Sequence, residues 1–278
     1  MATRTAPMGA AAIRAVSEQE IAAFENDGVT CLRQIIDAVW LARLREETER
    51  ELADPGPLKL DLTRGTKGRF FGNTFVCHHR PGFLDFVRRG PGAAIAAQIT
   101  RSASATLLFD QLLIKEPGTE TPTPWHHDAT YWPVAGTQLA TIWIALDPVT
   151  AENGAVEYVK GSHRWGRRFK ARAFVSDDLY KDDLPAVPDI DAERDRHELI
   201  QFELAPGDCT VHQALTVHGA PGNRRSDLRR RAYIQRWCGD DVTWDPRPNI
   251  QPMLRDPGLK SGDKLPCDLF PQIWPPAG

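Results

Sequence analysis

Apolar residues recur at helical spacing early in the chain and at alternating spacing later, so helices are expected first and strands after them. Ser17-Glu18-Gln19-Glu20 is a capping-box sequence, Ile21 and Phe24 follow on one face, and Asn26-Asp27-Gly28 closes the segment. A short strand is expected over 29–32. A second helix starts at Asp37 with Trp40, Leu41, Leu44, Thr48 and Leu52 on its apolar stripe, and Asp54-Pro55-Gly56-Pro57 stops it. Two further helices are expected over 83–89 and 93–99. From Ala105 onward the pattern shortens to β-rich runs at 107–115, 138–146, 155–159, 198–204, 209–212 and 231–237, separated by Gly, Pro and Asn turns. The expected fold is mainly β with flanking helices: an antiparallel sandwich or barrel supported by helices on one side.

With 278 residues the chain can bury a full core as one large domain or two small ones. A composition of 41% apolar and 26% charged residues belongs to the globular class, and a net charge of −3 exerts no pull toward nucleic acid or an anionic membrane. Cys31, Cys77, Cys209, Cys238 and Cys267 are scattered and odd in number, which implies neither a disulfide framework nor a zinc knuckle and fits a reducing cytoplasm.

Residues 1–15 lack the apolar run of a signal peptide and read as a disordered leader; no stretch of the chain is apolar enough to span a membrane. Residues 16–240 are read as a single domain. Within it, 170–197 is an acidic insertion carrying Asp177-Asp178 and Asp182-Asp183, a solvated loop or, on the sharper reading, a substrate lid. Eight of the 22 prolines lie from Asp240 onward, so 241–278 is read as an extended segment lying on the domain.

The chemistry concentrates in Trp125-His126-His127-Asp128. If this stretch is extended, His126 and Asp128 share a face and His127 points away. About ninety positions later His218 opens His218-Gly219-Ala220-Pro221-Gly222-Asn223. Two imidazoles and one carboxylate, with other positions left open, suit a non-haem Fe(II) oxygenase; thiolates would favour softer metals or clusters. A His-x-Asp pair alone is weak. Here Pro122-Thr123-Pro124 leads in, Tyr131-Trp132-Pro133 follows, and a basic run comes after His218.

Taken together, Pro124-Trp125-His126-His127-Asp128-Ala129-Thr130-Tyr131, Trp143-Ile144-Ala145-Leu146-Asp147, Gly154-Ala155-Val156-Glu157, Gly161-Ser162-His163-Arg164 and His218-Gly219-Ala220-Pro221-Gly222-Asn223 followed by Arg230-Arg231-Ala232 resemble the phytanoyl-CoA dioxygenase family of Fe(II)/2-oxoglutarate oxygenases. The match in order and spacing runs from Leu107 to Trp237, and the leading Glu20-Ile21…Phe24…Asp27-Gly28 helix shares it.

The resemblance implies a double-stranded β-helix, a jelly-roll barrel of cupin type, with iron at its mouth. By motif position His126, Asp128 and His218 would be the iron ligands, with 2-oxoglutarate and O2 as co-substrates. An arginine about a dozen residues after the distal histidine binds the far carboxylate of 2-oxoglutarate in this family. Matching the Arg-Arg-Ala ending selects Arg230, with Arg229 and Arg231 as rivals, while Arg224 and Arg225 read as a solvated turn. A guanidinium fork suits a carboxylate.

Trp143 falls where the family places an aromatic beside the keto acid, or it is plain core; Thr141 shares its face by alternation. Gln111 lies on the strand where relatives present a co-substrate contact. Relatives often carry Ser two residues after the distal histidine, and here that position is Ala220. His127 is expected outside the site and His212 in the preceding strand. His163 reads as part of a structural turn and His78-His79 as a loop. Trp125 and Trp132 are expected as pocket wall or core.

The reaction implied is oxidation of an unactivated C–H bond of a small molecule or secondary metabolite, most directly hydroxylation because the carboxylate ligand is present. Related halogenases replace it. Two rivals stand beside this: a divalent-metal hydrolase or isomerase on a cupin barrel, and a catalytically silent metal-binding module. Neither needs an arginine anchor.

Overall fold

A computed structural model describes residues 14–63, 65–171, 183–248 and 250–276. Ser17 caps helix α1 (Glu18–Asp27): its hydroxyl accepts from Glu20 N at 3.3 Å, and the Glu20 carboxylate accepts from Ser17 N at 2.8 Å. Gly28 ends the helix with φ of 83°, and a Cβ there would lie 2.5 Å from Thr216 Oγ1, so both conformation and space call for glycine. Asp37 caps α2 (Ala38–Ala53) by accepting from Trp40 N at 2.8 Å. Helices α3 (Pro81–Arg89) and α4 (Gly92–Ile99) follow.

The apolar stripe of α2 departs from expectation at its last turn. Leu52 is only half-buried, and Glu51 takes the buried position. Its carboxylate is compensated by Arg80 Nε at 2.8 Å, His79 Nε2 at 2.9 Å, Asn73 Nδ2 at 2.5 Å and Gly56 N at 2.8 Å. A charge this far from water persists only with such partners.

The described residues form fourteen strands, in chain order β1 (Val29–Leu32), β2 (Lys59–Asp61), β3 (Phe70–Thr74), β4 (Ala105–Lys115), β5 (Thr123–His126), β6 (Val134–Ala135), β7 (Leu139–Ala145), β8 (Glu157–Val159), β9 (Leu199–Gln201), β10 (Cys209–Gln213), β11 (His218–Ala220), β12 (Arg230–Cys238), β13 (Thr243–Trp244) and β14 (Gln272–Trp274). All pairings are antiparallel. The large sheet runs β1-β10-β7-β12-β4-β3-β2 with β14 also on β4; a smaller sheet runs β5-β11-β8-β9; β13 pairs with β6. The run expected at 198–204 shortens to Leu199–Gln201, and Leu204 only bridges Val149.

Strand alternation divides the large sheet into two faces. Leu112, Ile142, Ile144, Val211, Tyr233 and Trp237 pack with Trp40, Leu44, Phe83, Phe86 and Ile95 of the helices. Their neighbours Trp143, Ala145, Ala232 and Ile234 form a separate cluster on the opposite face. The helices therefore seal one side of the sheet and leave the other to line a cavity. From the tail, Leu265, Leu269 and Phe270 pack with Phe109, Trp132 and Trp244.

Phe83 is fully buried and stacks on Tyr233 at 4.7 Å with a 20° tilt. Phe83→Ala should cost about 3–5 kcal/mol, read from urea unfolding; a loss below about 1 kcal/mol would mean that this helix–sheet contact contributes little.

Candidate metal centre

Three side chains from two regions of the chain converge in one cavity. Strand β5 delivers His126 and ends there. His127 is still extended, and Asp128 opens a 3-10 turn, Asp128–Thr130. His126 and Asp128 thus do not lie on one strand face, as simple alternation would have it; the turn brings the carboxylate to His126. Strand β11 pairs with β5 so that His218 stands opposite His126. Ligand atoms of His126, Asp128 and His218 lie within 4.8 Å of one another, and all three residues are buried.

The hydrogen bonds behind these residues decide which atoms face inward. His126 Nδ1 lies 2.8 Å from Pro124 O, and His218 Nδ1 lies 2.9 Å from Thr216 O. A carbonyl only accepts, so Nδ1 carries a proton in both rings, and Nε2 is the nitrogen left to present a lone pair to a metal. Burial pushes the His218 imidazole well below its ordinary pKa, which favours the neutral form.

Asp128 Oδ2 accepts from Thr141 Oγ1 at 2.7 Å and from His212 Nε2 at 3.3 Å. Its Oδ1 faces His126 Nε2 at 3.7 Å. Burial alone would raise the Asp128 carboxyl, but contacts from His126 and His212 and the charge of Arg236 hold it well below the usual carboxylate range. His126 Nε2 and Asp128 Oδ1 thus face one another across a gap that a cation can bridge. The donor set and its outer hydrogen bonds fit a divalent metal held by two imidazoles and one carboxylate.

The cavity has a volume of about 290 Å3. Thr141, Trp143, Gln111 and Arg230 line it together with the three ligands. Thr141 gives its hydroxyl to Asp128. Gln111 Oε1 accepts from Arg236 Nη2 at 2.6 Å. Arg230 is 2% exposed, its Cζ lies 5.4 Å over the Trp143 ring, and its Nε has no hydrogen-bond partner among the described residues. Burial pulls its pKa down to about 10, which leaves it charged at neutral pH.

Arg230's two rivals are engaged elsewhere. Arg229 bonds Glu116 at 2.5 Å and Glu49 at 2.7 Å, and Arg231 bonds Asp147 and Glu49, each at 2.7 Å. Opposite Arg230 on β4, Lys115 is fully buried and donates to Pro221 O at 2.6 Å. Ala220 lines the cavity at the position where a hydroxyl is missing.

The remaining histidines sort by direction. His127 points away and accepts from Phe169 N at 2.8 Å. His212 lies in the strand before the ligand and steadies Asp128, a role its sequence position did not reveal. His163 contacts Glu25 O at 3.0 Å, and its neighbour Ser162 accepts from Val217 N at 2.8 Å, which fixes the residue before His218. His79 serves Glu51, and neither His78 nor His79 lines the cavity. Trp132 lines it, whereas Trp125 packs against Val159, Phe169 and Val217.

Residues 172–182, the middle of the segment read as a lid, lie outside the described residues. Pro57–Leu60 and Leu62, with Gln251 and Pro252 of the tail, border the cavity, and Asp191 and Arg194 border an adjoining recess. Among the described residues no helix is long and apolar enough to cross a membrane.

An antiparallel β fold carrying a two-histidine, one-carboxylate face defines a class of metal-dependent proteins rather than one activity. The sequence model of phytanoyl-CoA dioxygenase (PhyH) matches residues 24–232, and the chain belongs to that family. It is 25% identical over 231 residues to ectoine dioxygenase of Sphingopyxis alaskensis, covering 79% of this chain and 75% of that protein. It is 32% identical over 113 residues to dioxygenase aneA of Aspergillus aculeatus, covering 38% of this chain and only 31% of that protein. The structure of SnoK, a non-haem α-ketoglutarate-dependent carbocyclase of nogalamycin biosynthesis, aligns with a TM-score of 0.75 over 97% of this chain and 100% of that one. At 23% identity that likeness is one of fold.

His212→Leu or Thr141→Val should weaken Fe(II) binding about 10–100-fold without loss of folded protein, read by anaerobic equilibrium dialysis beside circular dichroism. Wild-type affinity in both variants would show that the hydrogen bonds to Asp128 do not steady the ligand.

Proposed function

We propose that the chain is an Fe(II)/2-oxoglutarate-dependent oxygenase that oxidises a C–H bond of a small molecule, most directly by hydroxylation. The observation that carries this reading is one cavity holding both the three-ligand face and a buried arginine with no carboxylate partner among the described residues. His126, Asp128 and His218 are assigned as the iron ligands and Arg230 as the anchor for the far carboxylate of 2-oxoglutarate. The overall reaction balances as R–H, O2 and 2-oxoglutarate giving R–OH, succinate and CO2. Iron supplies the activation of dioxygen.

Each side chain has a stated task in this account. The carbonyls of Pro124 and Thr216 keep both Nε2 atoms turned inward, and Thr141 and His212 keep one carboxylate oxygen occupied so that the other faces the metal. Arg230 offers a bidentate fork, and the face of Trp143 holds that fork in place. Gln111 stands on the wall shared by co-substrate and substrate. Apolar walls from Leu60, Phe70, Trp132 and Val156 exclude water from the reacting carbon.

The two antiparallel sheets are read as the walls of an open double-stranded β-helix. Residues 16–240 are taken as one domain with 241–278 packed on it, supported by the pairing of β14 with β4. A small-molecule substrate fits the cavity, and neither nucleic acid nor membrane is invoked as a partner. Cytoplasmic residence is supported by five cysteines that are all free.

Carboxyl-labelled 2-oxoglutarate should release CO2 only with Fe(II) and O2, and Asp128→Ala should abolish the release. Arg230→Ala should raise the half-saturating 2-oxoglutarate concentration more than about tenfold, against less than about threefold for Arg229→Ala or Arg231→Ala, because only the first removes a charge-assisted pair to the keto acid. A larger effect at Arg229 or Arg231 would move the anchor, and metal-dependent turnover without any keto acid would favour a hydrolase or isomerase.

A further inference from the structure

A second buried arginine, Arg236, lines the cavity, and nothing beyond its long-range effect on Asp128 has been assigned to it. Arg236 lies six positions beyond Arg230 on β12, and even-numbered residues of this strand share the cavity face. It is 7% exposed, and its Cζ lies 4.5 Å over the Phe109 ring. Its only hydrogen bond among the described residues runs from Nη2 to Gln111 Oε1 at 2.6 Å, and its Nε and Nη1 are buried without partners. Among the described residues it forms no ion pair. Burying a guanidinium this way is costly unless something arrives to pair with it.

Three features indicate what arrives. The unpartnered buried donors on the cavity lining, among the described residues, are Nε and Nη1 of Arg236, Nε of Arg230 and Nε2 of Gln251. Against these four donors the described lining leaves one buried acceptor unpartnered, His212 Nδ1, so the cavity is set mainly to receive acceptors. Position is the second feature. In the register of β12, Arg236 stands opposite Thr141 and Phe109, beside the metal ligands, with Ile234 and Trp143 one step nearer to Arg230. Charge is the third. The buried lining carries two guanidiniums against the single carboxylate of Asp128. A divalent iron and a dianionic keto acid cancel one another, so one positive charge is left for the substrate to neutralise.

We propose that Arg236, held by Gln111 and Phe109, is the substrate's anion contact, and that the substrate is a small, mostly apolar molecule bearing a carboxylate. This rests on the oxygenase reading of the same cavity. Arg236 then fixes which carbon faces the metal, so it determines specificity and does not bind the co-substrate. The apolar remainder of such a substrate would lie against Trp132, Phe70 and Val156.

The test uses the full chain loaded anaerobically with Fe(II) and saturating 2-oxoglutarate, and reads tryptophan fluorescence, since Trp132 and Trp143 line the cavity. Probes are phenylacetate, 3-phenylpropionate and 4-phenylbutyrate, each beside its primary amide. At least one carboxylate should bind about tenfold or more tightly than its amide, as a charge-assisted pair requires, with the difference falling to within about twofold in Arg236→Met and returning in part in Arg236→Lys. The ligand-free Arg236→Met protein should melt no lower than wild type, because an unpaired buried charge has been removed.

Equal binding of every acid and amide by wild type, or no binding of any acid, overturns the proposal without recourse to a variant. Calorimetry with 2-oxoglutarate separates the remaining outcomes. If Arg236→Met weakens 2-oxoglutarate and spares the probes, Arg236 belongs to the co-substrate and the inference falls while the oxygenase reading stands. If wild type with Fe(II) binds no 2-oxoglutarate, the oxygenase reading itself fails.

Discussion

Two hydrogen bonds to backbone carbonyls, one behind each metal-facing imidazole, are the constraint on which the site depends. Without them each ring could turn, and either nitrogen could carry the proton. Their acceptors are themselves fixed by the fold. Pro124 lies in β5, which pairs with β11, and Thr216 is held because its hydroxyl donates to Gly28 O at 2.8 Å. Gly28 has no room for a Cβ beside Thr216. The end of the first helix therefore helps orient the distal ligand nearly two hundred residues later. Ser162 adds a second restraint by accepting from Val217 N.

The large sheet converts sequence alternation into a division of labour. On β12, Tyr233 and Trp237 face the helices, while Arg230, Ile234 and Arg236 face the cavity. On β7, Ile142 and Ile144 face the helices, while Thr141 and Trp143 face the cavity. The helix-packed face supplies apolar burial and rigidity, and the cavity face can then carry charges that a core would not tolerate. Asp128, Arg230 and Arg236 all lie in this sealed space, where electrostatic interactions are stronger than in water.

Much of this was legible in the residues. Capping and periodicity located all four helices within two residues of their observed starts and ends, and the long strands β4, β7, β10 and β12 stood out by alternation. Strands β2, β3, β5 and β11 did not, because they are short, and β3, β5 and β11 each contain a Gly or Pro and pair with partners far along the chain. The convergence of His126, Asp128 and His218 was readable from residue type and spacing, but through too simple a geometry: β5 stops at His126, and a turn rather than alternation presents Asp128. Motif matching put Arg230 ahead of Arg229 and Arg231 without a physical reason; what separates them in space is the distant carboxylates Glu49, Glu116 and Asp147, which engage only the rivals. Arg236 shares the parity of Arg230, yet a basic residue is ordinarily expected in solvent, so its burial became visible only in three dimensions.

The central claim is that one metal and one keto acid share the space between His126, Asp128, His218 and Arg230. Anaerobic addition of Fe(II) and then 2-oxoglutarate, followed in the visible spectrum beside a His218→Ala control, tests it most directly. The account predicts a weak metal-to-ligand charge-transfer band in wild type that requires both additions and is absent from the variant. Confirmed metal binding with no such band would contradict it, since the open coordination positions would then serve a different chemistry.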